Sequence, residues 1–86
     1  MPRISAFYGI VIAMYFDDHA PPHFHARYAE YEAQVSIQDA EILHGALPRR
    51  AVRLVREWAE MHRDELAANW ERARVEQPLA SIDALP

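Results

Sequence analysis

The spacing of apolar residues changes once along this chain, between Gly45 and Pro48, and that change divides what its two halves can fold into. Before it, Ile10, Ile12, Met14 and Phe16 alternate with Val11, Ala13 and Tyr15, the two-residue period of a strand covered at least partly on both faces and therefore central in a sheet. Beyond the loop Asp17 to Pro22, Phe24, Ala26 and Tyr28 point one way while His23, His25 and Arg27 point the other. The stretch from Glu32 to Ile37 repeats the pattern, with Ala33, Val35 and Ile37 on one face, and Gln38-Asp39 turns the chain into a last strand from Glu41 to His44. Gly45 ends that run, and Pro48 sits where a first helical turn tolerates a missing N–H.

After Pro48 the period is helical. Ala51, Leu54, Val55, Trp58, Met61 and His62 form one apolar stripe, with Arg49, Arg53, Arg56 and Glu60 opposite. Leu66, Trp70 and Ala73 continue the periodicity on a rotated stripe, which predicts a break near residues 62–64, with Asp64 as a helix cap. The expected fold is α+β: a small, mostly antiparallel sheet of about four strands, then two C-terminal helices packed on one face. Strands should fill most of residues 4–44 and helices most of 48–75, with Trp58 buried against the sheet and Trp70 in the core or at a dimer contact. A single domain over 1–86 is expected, with a β-rich half at 1–45, a helical half at 46–76 and a tail at 77–86. In that tail Leu79, Ile82 and Leu85 can dock on the core.

Composition narrows the chemistry. A chain of 86 residues buries only about 60 to 65% of its unfolded surface. It has no cysteine, so packing alone must close the core, and disulfides, cysteine zinc sites and thiol catalysis are excluded. The absence of lysine excludes Schiff-base chemistry. The longest apolar run, Ala6 to Phe16, is too short for a membrane helix, so a cytoplasmic protein without membrane contact is expected. A net charge of −4 argues against broad nucleic-acid affinity, although a local basic stripe can still bind phosphate.

Three of the five histidines fall within seven positions, in His19-Ala20-Pro21-Pro22-His23-Phe24-His25. His23 and His25, two apart on a strand, project from one face, and His19 can fold back over them. His19, His23 and His25 could thus ligate a divalent transition metal such as zinc, with Asp17, Asp18 or Glu30 as an oxygen donor. Alternatively His23 and His25 could serve as a catalytic acid and base in RNA cleavage, with Arg27 stabilising phosphorane charge and Tyr28 and Tyr31 stacking bases. The commoner role for such histidines is to hydrogen-bond backbone carbonyls beside a proline-stiffened loop. Arg49, Arg53 and Arg56 mark a candidate patch for a partner or phosphate near a helix N-terminus, although Arg53 with Glu57 and Arg56 with Glu60 are also spaced for ordinary surface pairs. His62, on the apolar stripe, reads as a buried, satisfied histidine rather than a ligand.

The opening Met1 to Ser5, the Phe7-Tyr8-Gly9-Ile10 step, the block from His19 to Ala26, Gly45-x-Leu47-Pro48, and the Glu57-Trp58 and Asn69-Trp70 segments together resemble a family of small bacterial proteins, the domain of unknown function DUF4160. The likeness covers nearly the whole chain. It implies a member of a two-gene cassette of the toxin–antitoxin type, and the reading favoured with it is an interaction module that pairs with a small protein encoded nearby, the arginine stripe being a surface that can contact RNA or DNA. The alternative, drawn from the residues themselves, is a histidine-centred enzyme or metal-binding protein, either a metal-dependent hydrolase or a ribonuclease.

Overall fold

The computed structural model describes residues 2–86. Five strands, β1 (Arg3–Phe7), β2 (Ile10–Ala13), β3 (His23–Tyr28), β4 (Tyr31–Ser36) and β5 (Ile42–Gly45), precede two helices, α1 (Arg49–Met61) and α2 (Arg63–Arg74). The strands form one antiparallel meander in the order β1-β2-β3-β4-β5. The fold is therefore α+β, with one more strand than the alternation alone indicated. The added strand is β1, joined to β2 by the two-residue turn Tyr8-Gly9, both residues of which lie at positive φ (50° and 80°). That backbone matches the right-handed twist of a tight hairpin.

One face of the sheet carries the core. Ile10, Ile12, Phe24, Ala26, Ala33 and Val35 are buried together with Val55, Trp58 and Leu66 of the helices. Trp58 lies in the centre, its ring 5.3 Å from that of Phe7 and edge-on to Phe24 at 5.7 Å, and its indole N–H donates to the Asp83 carbonyl at 2.8 Å. The tail docks as its apolar residues suggested: Ile82 and Leu85 are buried and Ile82 N–H donates to the Ile4 carbonyl at 2.8 Å. Buried Asn69 pins this segment further, donating to the Ala80 carbonyl and accepting from the Ala80 N–H, both at 2.9 Å.

Several details differ from the sequence expectation. β2 ends at Ala13 rather than Phe16, because Met14 N–H turns to the Pro2 carbonyl and Asp17, at φ 55°, takes the chain out of the sheet. Met61, placed on the apolar stripe, is 57% exposed, because α1 ends there and the chain bends. Asp64 is not the cap of α2: His62 occupies that position and Asp64 lies inside the first turn, where its charge still complements the helix dipole. His62 makes the bend, its Nδ1 paired with Glu65 and its ring 5.6 Å from Trp58. Among the described residues no helix is long and apolar enough to cross a membrane.

Gly45 does more than end the sheet. Its φ is +79°, and a Cβ placed there would stand 2.2 Å from the Glu32 carbonyl oxygen, which accepts the Ala46 N–H. A Gly45→Ala variant should lose about 1 to 3 kcal/mol from backbone strain alone. Amide exchange at Ala46 and along β5 should accelerate, and exchange rates equal to those of the parent would show that this turn does not hold the edge strand.

Candidate functional site

The side of the sheet turned away from Trp58 carries the polar residues of β3 and β4, and the loop between β2 and β3 folds over its end. Alternation places His23 and His25 on this side. Their Nε2 atoms meet a single oxygen, Asp18 Oδ2, at 3.0 and 3.3 Å. These three side chains are the one group of potential metal ligands found among the described residues, their donor atoms all lying within 4.8 Å of one another. Asp17 and Glu30, the other oxygen donors considered, do not join it. His23 is 2% exposed, with its ring 5.3 Å from Trp70, so α2 supplies an apolar wall to the site. Tyr15 covers His25 edge-on, with ring centroids 4.3 Å apart.

The hydrogen-bond inventory of His23 is informative. Its Nδ1 lies 2.8 Å from the Pro21 carbonyl while its Nε2 faces Asp18. Both are acceptors, and a neutral imidazole has one N–H to give. A second ring proton, which makes an ion pair with Asp18, satisfies both acceptors; so does a cation between His23 Nε2, His25 Nε2 and the carboxylate, which leaves Nδ1–H donating to Pro21 as in commonly oriented metal-bound histidines. Two of the separations, 3.0 and 3.3 Å, are close to the about 3.3 Å between ligands that sit about 2.0 to 2.1 Å from a tetrahedral ion. His25 Nδ1 is buried without a hydrogen bond, and Glu32 Oε2 stands 3.6 Å behind it.

His19 is placed differently. Its side chain is 88% exposed; it reaches the group through Asp18, with Nδ1 3.2 Å from Oδ1, and its ring stands 6.2 Å from that of His23. The His19 N–H also donates to Oδ1, at 2.9 Å. Burial alone would raise the Asp18 carboxyl; the hydrogen bonds from His25 and the His19 backbone, together with attraction and hydrogen bonding from His23, outweigh it and leave the carboxyl below its ordinary range. Asp18 is therefore an anion at neutral pH.

On the outer face of α1, Arg49, Arg53 and Arg56 line a shallow groove of about 500 Å³ with Val52, Glu57 and Glu60. Arg56 pairs with Glu41 at 3.1 Å, tying the helix to the turn before β5, rather than with Glu60 as the i,i+4 spacing suggested.

Two residues near the histidines escaped the sequence reading. Gln34 lies directly across from His25, and His44 directly across from Gln34. Only the strand register reveals this, and the register depends on a bulge that the alternation of β5 does not announce.

No curated protein and no solved structure is significantly similar to the chain. A family profile does match, over residues 9–71, a stretch that includes Asp18, His23, His25, Gln34 and His44 and covers well over half of the chain. The chain belongs to the family described as domain of unknown function DUF4160.

Proposed function

We propose that this protein binds a divalent first-row transition metal, zinc being the first choice, through Asp18, His23 and His25, and uses it in a hydrolytic reaction. The observation that carries the reading is the convergence of one ligand atom each from Asp18, His23 and His25, all within 4.8 Å of one another. Two histidines and one carboxylate leave coordination positions open, as catalytic centres require. When bound, the metal lowers the pKa of coordinated water and supplies hydroxide at neutral pH. His19 then has a role distinct from ligation: Asp18 holds its Nδ1, which leaves Nε2 for proton transfer to a leaving group. Trp70 and Tyr15 exclude water from the buried sides of the ligands. Equilibrium dialysis against zinc or nickel, followed by elemental analysis, tests the reading. One ion per chain is expected for the parent, and uptake that persists unchanged in Asp18→Asn would sink it.

A second reading rests on the groove of α1 and on the cassette context implied by the family resemblance. Here the protein is an interaction module of a toxin–antitoxin-type pair, with Arg49, Arg53 and Arg56 meeting a small protein partner or the phosphates of RNA or DNA. Replacing all three arginines by glutamine should change stability little, because the exposed Arg56–Glu41 pair is worth about 0 to 1 kcal/mol. The same triple variant should release a cognate partner in a pull-down, and should lose RNA retained at low salt. Unaltered retention of both would remove this reading.

A further inference from the structure

The register of the sheet lines up Ala13, His25, Gln34 and His44 directly across β2, β3, β4 and β5. Directly opposed residues in antiparallel strands hold their Cβ atoms about 4.5 to 5.5 Å apart. Gln34 is thus the immediate neighbour of a metal ligand, and His44 stands one strand further out on the same side. A register shift between β4 and β5 makes this alignment: Gln34 pairs with His44 and Val35 with Ile42, so Leu43 is the additional residue. A bulge of this kind re-aims side chains at the rim of a site. The proline loop closes the opposite wall. Together His19, Ala20, Pro21, His23, Gln34, Leu43 and His44 enclose a pocket of about 280 Å³.

The chemistry of that lining is selective. The chain carries 13 acidic residues and a net charge of −4, yet no carboxylate lines this pocket. It offers His44 and Gln34 as hydrogen-bond donors and the Nε2 of His19, whose Nδ1 is turned to Asp18, with Leu43 and Pro21 as apolar wall. These donors sit on three separate segments, the loop, β4 and β5, and His23 is the residue that this pocket shares with the Asp18, His23 and His25 group. We infer that this pocket binds a phosphoryl group, one oxygen on the metal and the others hydrogen-bonded to Gln34, His44 and His19. A phosphoryl group brings three terminal oxygens and a charge of about −1.5 to −2 to the metal and these donors, whereas a carboxylate brings two oxygens and a single charge. The volume admits the phosphoryl group with a small substituent. The assignment rests on the metal reading above, because a metal ion is what offsets the negative Asp18 beside the pocket.

Titration calorimetry separates the two claims. Zinc is first titrated into metal-free protein; phenylphosphonate and, as the comparison, benzoate are then titrated into the zinc-loaded protein. Phenylphosphonate should bind more tightly than benzoate. His44→Ala and Gln34→Ala should each weaken it about tenfold, the loss of one hydrogen bond to a charged group, with zinc affinity unchanged within about twofold. His44→Gln, which keeps a donor, should recover part of the loss. His44 is exposed and Gln34 half-buried, so neither change disturbs the core. Equal binding of the two ligands, or phenylphosphonate binding indifferent to both substitutions, overturns the phosphoryl site while the metal centre stands. Failure of the parent to take up zinc overturns both.

Discussion

A Trp58→Ala variant should lose about 3 to 5 kcal/mol of stability, the cost of truncating a fully buried aromatic residue. A domain of this length is expected to hold only about 4 to 13 kcal/mol in total. Three separate contacts make the loss large. The indole fills the space between Phe7 on β1 and Phe24 on β3, which joins the edge of the sheet to its centre. It also supports the His62 ring at the bend between the helices. Its N–H is the partner of the Asp83 carbonyl, so truncation releases the tail as well. The melting temperature should fall by roughly 12 to 40 °C, at about 4 to 8 °C per kcal/mol for a domain of this size. Trp58→Phe should recover part of the packing but not the tail bond. A drop below about 5 °C in Trp58→Ala would mean that the core does not converge on this residue.

The second large effect concerns metal. In His25→Ala and in Asp18→Asn, zinc affinity should fall more than about a hundredfold. Losing a residue that merely orients a ligand already costs about 10- to 100-fold, and these two donate the coordinating atoms themselves. His25→Ala removes one of the two imidazole nitrogens. Asp18→Asn keeps the shape and an acceptor oxygen but removes the charge, so the metal-free fold should survive and the two causes of lost binding can be told apart. His19→Ala provides the contrast: the exposed ring pairs with the outer oxygen of Asp18, so zinc affinity should fall much less while any hydrolytic rate falls more. Isothermal titration of the three variants checks this ordering, and a His19→Ala loss as large as that of His25→Ala would make His19 a ligand.

The residues explain why part of this was legible in the sequence and part was not. Strand faces follow from a local rule, so the separation of Phe24 and Ala26 from His23 and His25 could be read from alternation. The switch at Gly45 to Pro48 and the bend at His62 were legible for the same reason, since each is a change of period or phase along the chain. β1 was less visible, because only the turn residues Tyr8-Gly9 mark where one strand becomes two. The end of β2 depends on a contact distant in sequence, Pro2 with Met14. At the site, a His-x-His spacing announces two ligands but cannot choose among Asp17, Asp18 and Glu30. That choice is made by the backbone of the loop, where Asp17 at positive φ turns the chain and Asp18 is left facing the imidazoles. The positions of Gln34 and His44 follow from strand register, which a single sequence encodes only weakly.

Histidine side-chain NMR during a zinc titration of metal-free protein tests the central claim most directly, because it reports each of the five imidazoles separately. His23 and His25 should shift together and saturate at one zinc per chain, with His23 keeping its Nδ1 proton on the Pro21 carbonyl. His19 should respond weakly through Asp18, and His62, held at the bend by Glu65, should not move. Saturation at one equivalent confined to His23 and His25 is the result this account predicts; a titration that leaves both unshifted, or that moves all five histidines in proportion to added zinc, would contradict it.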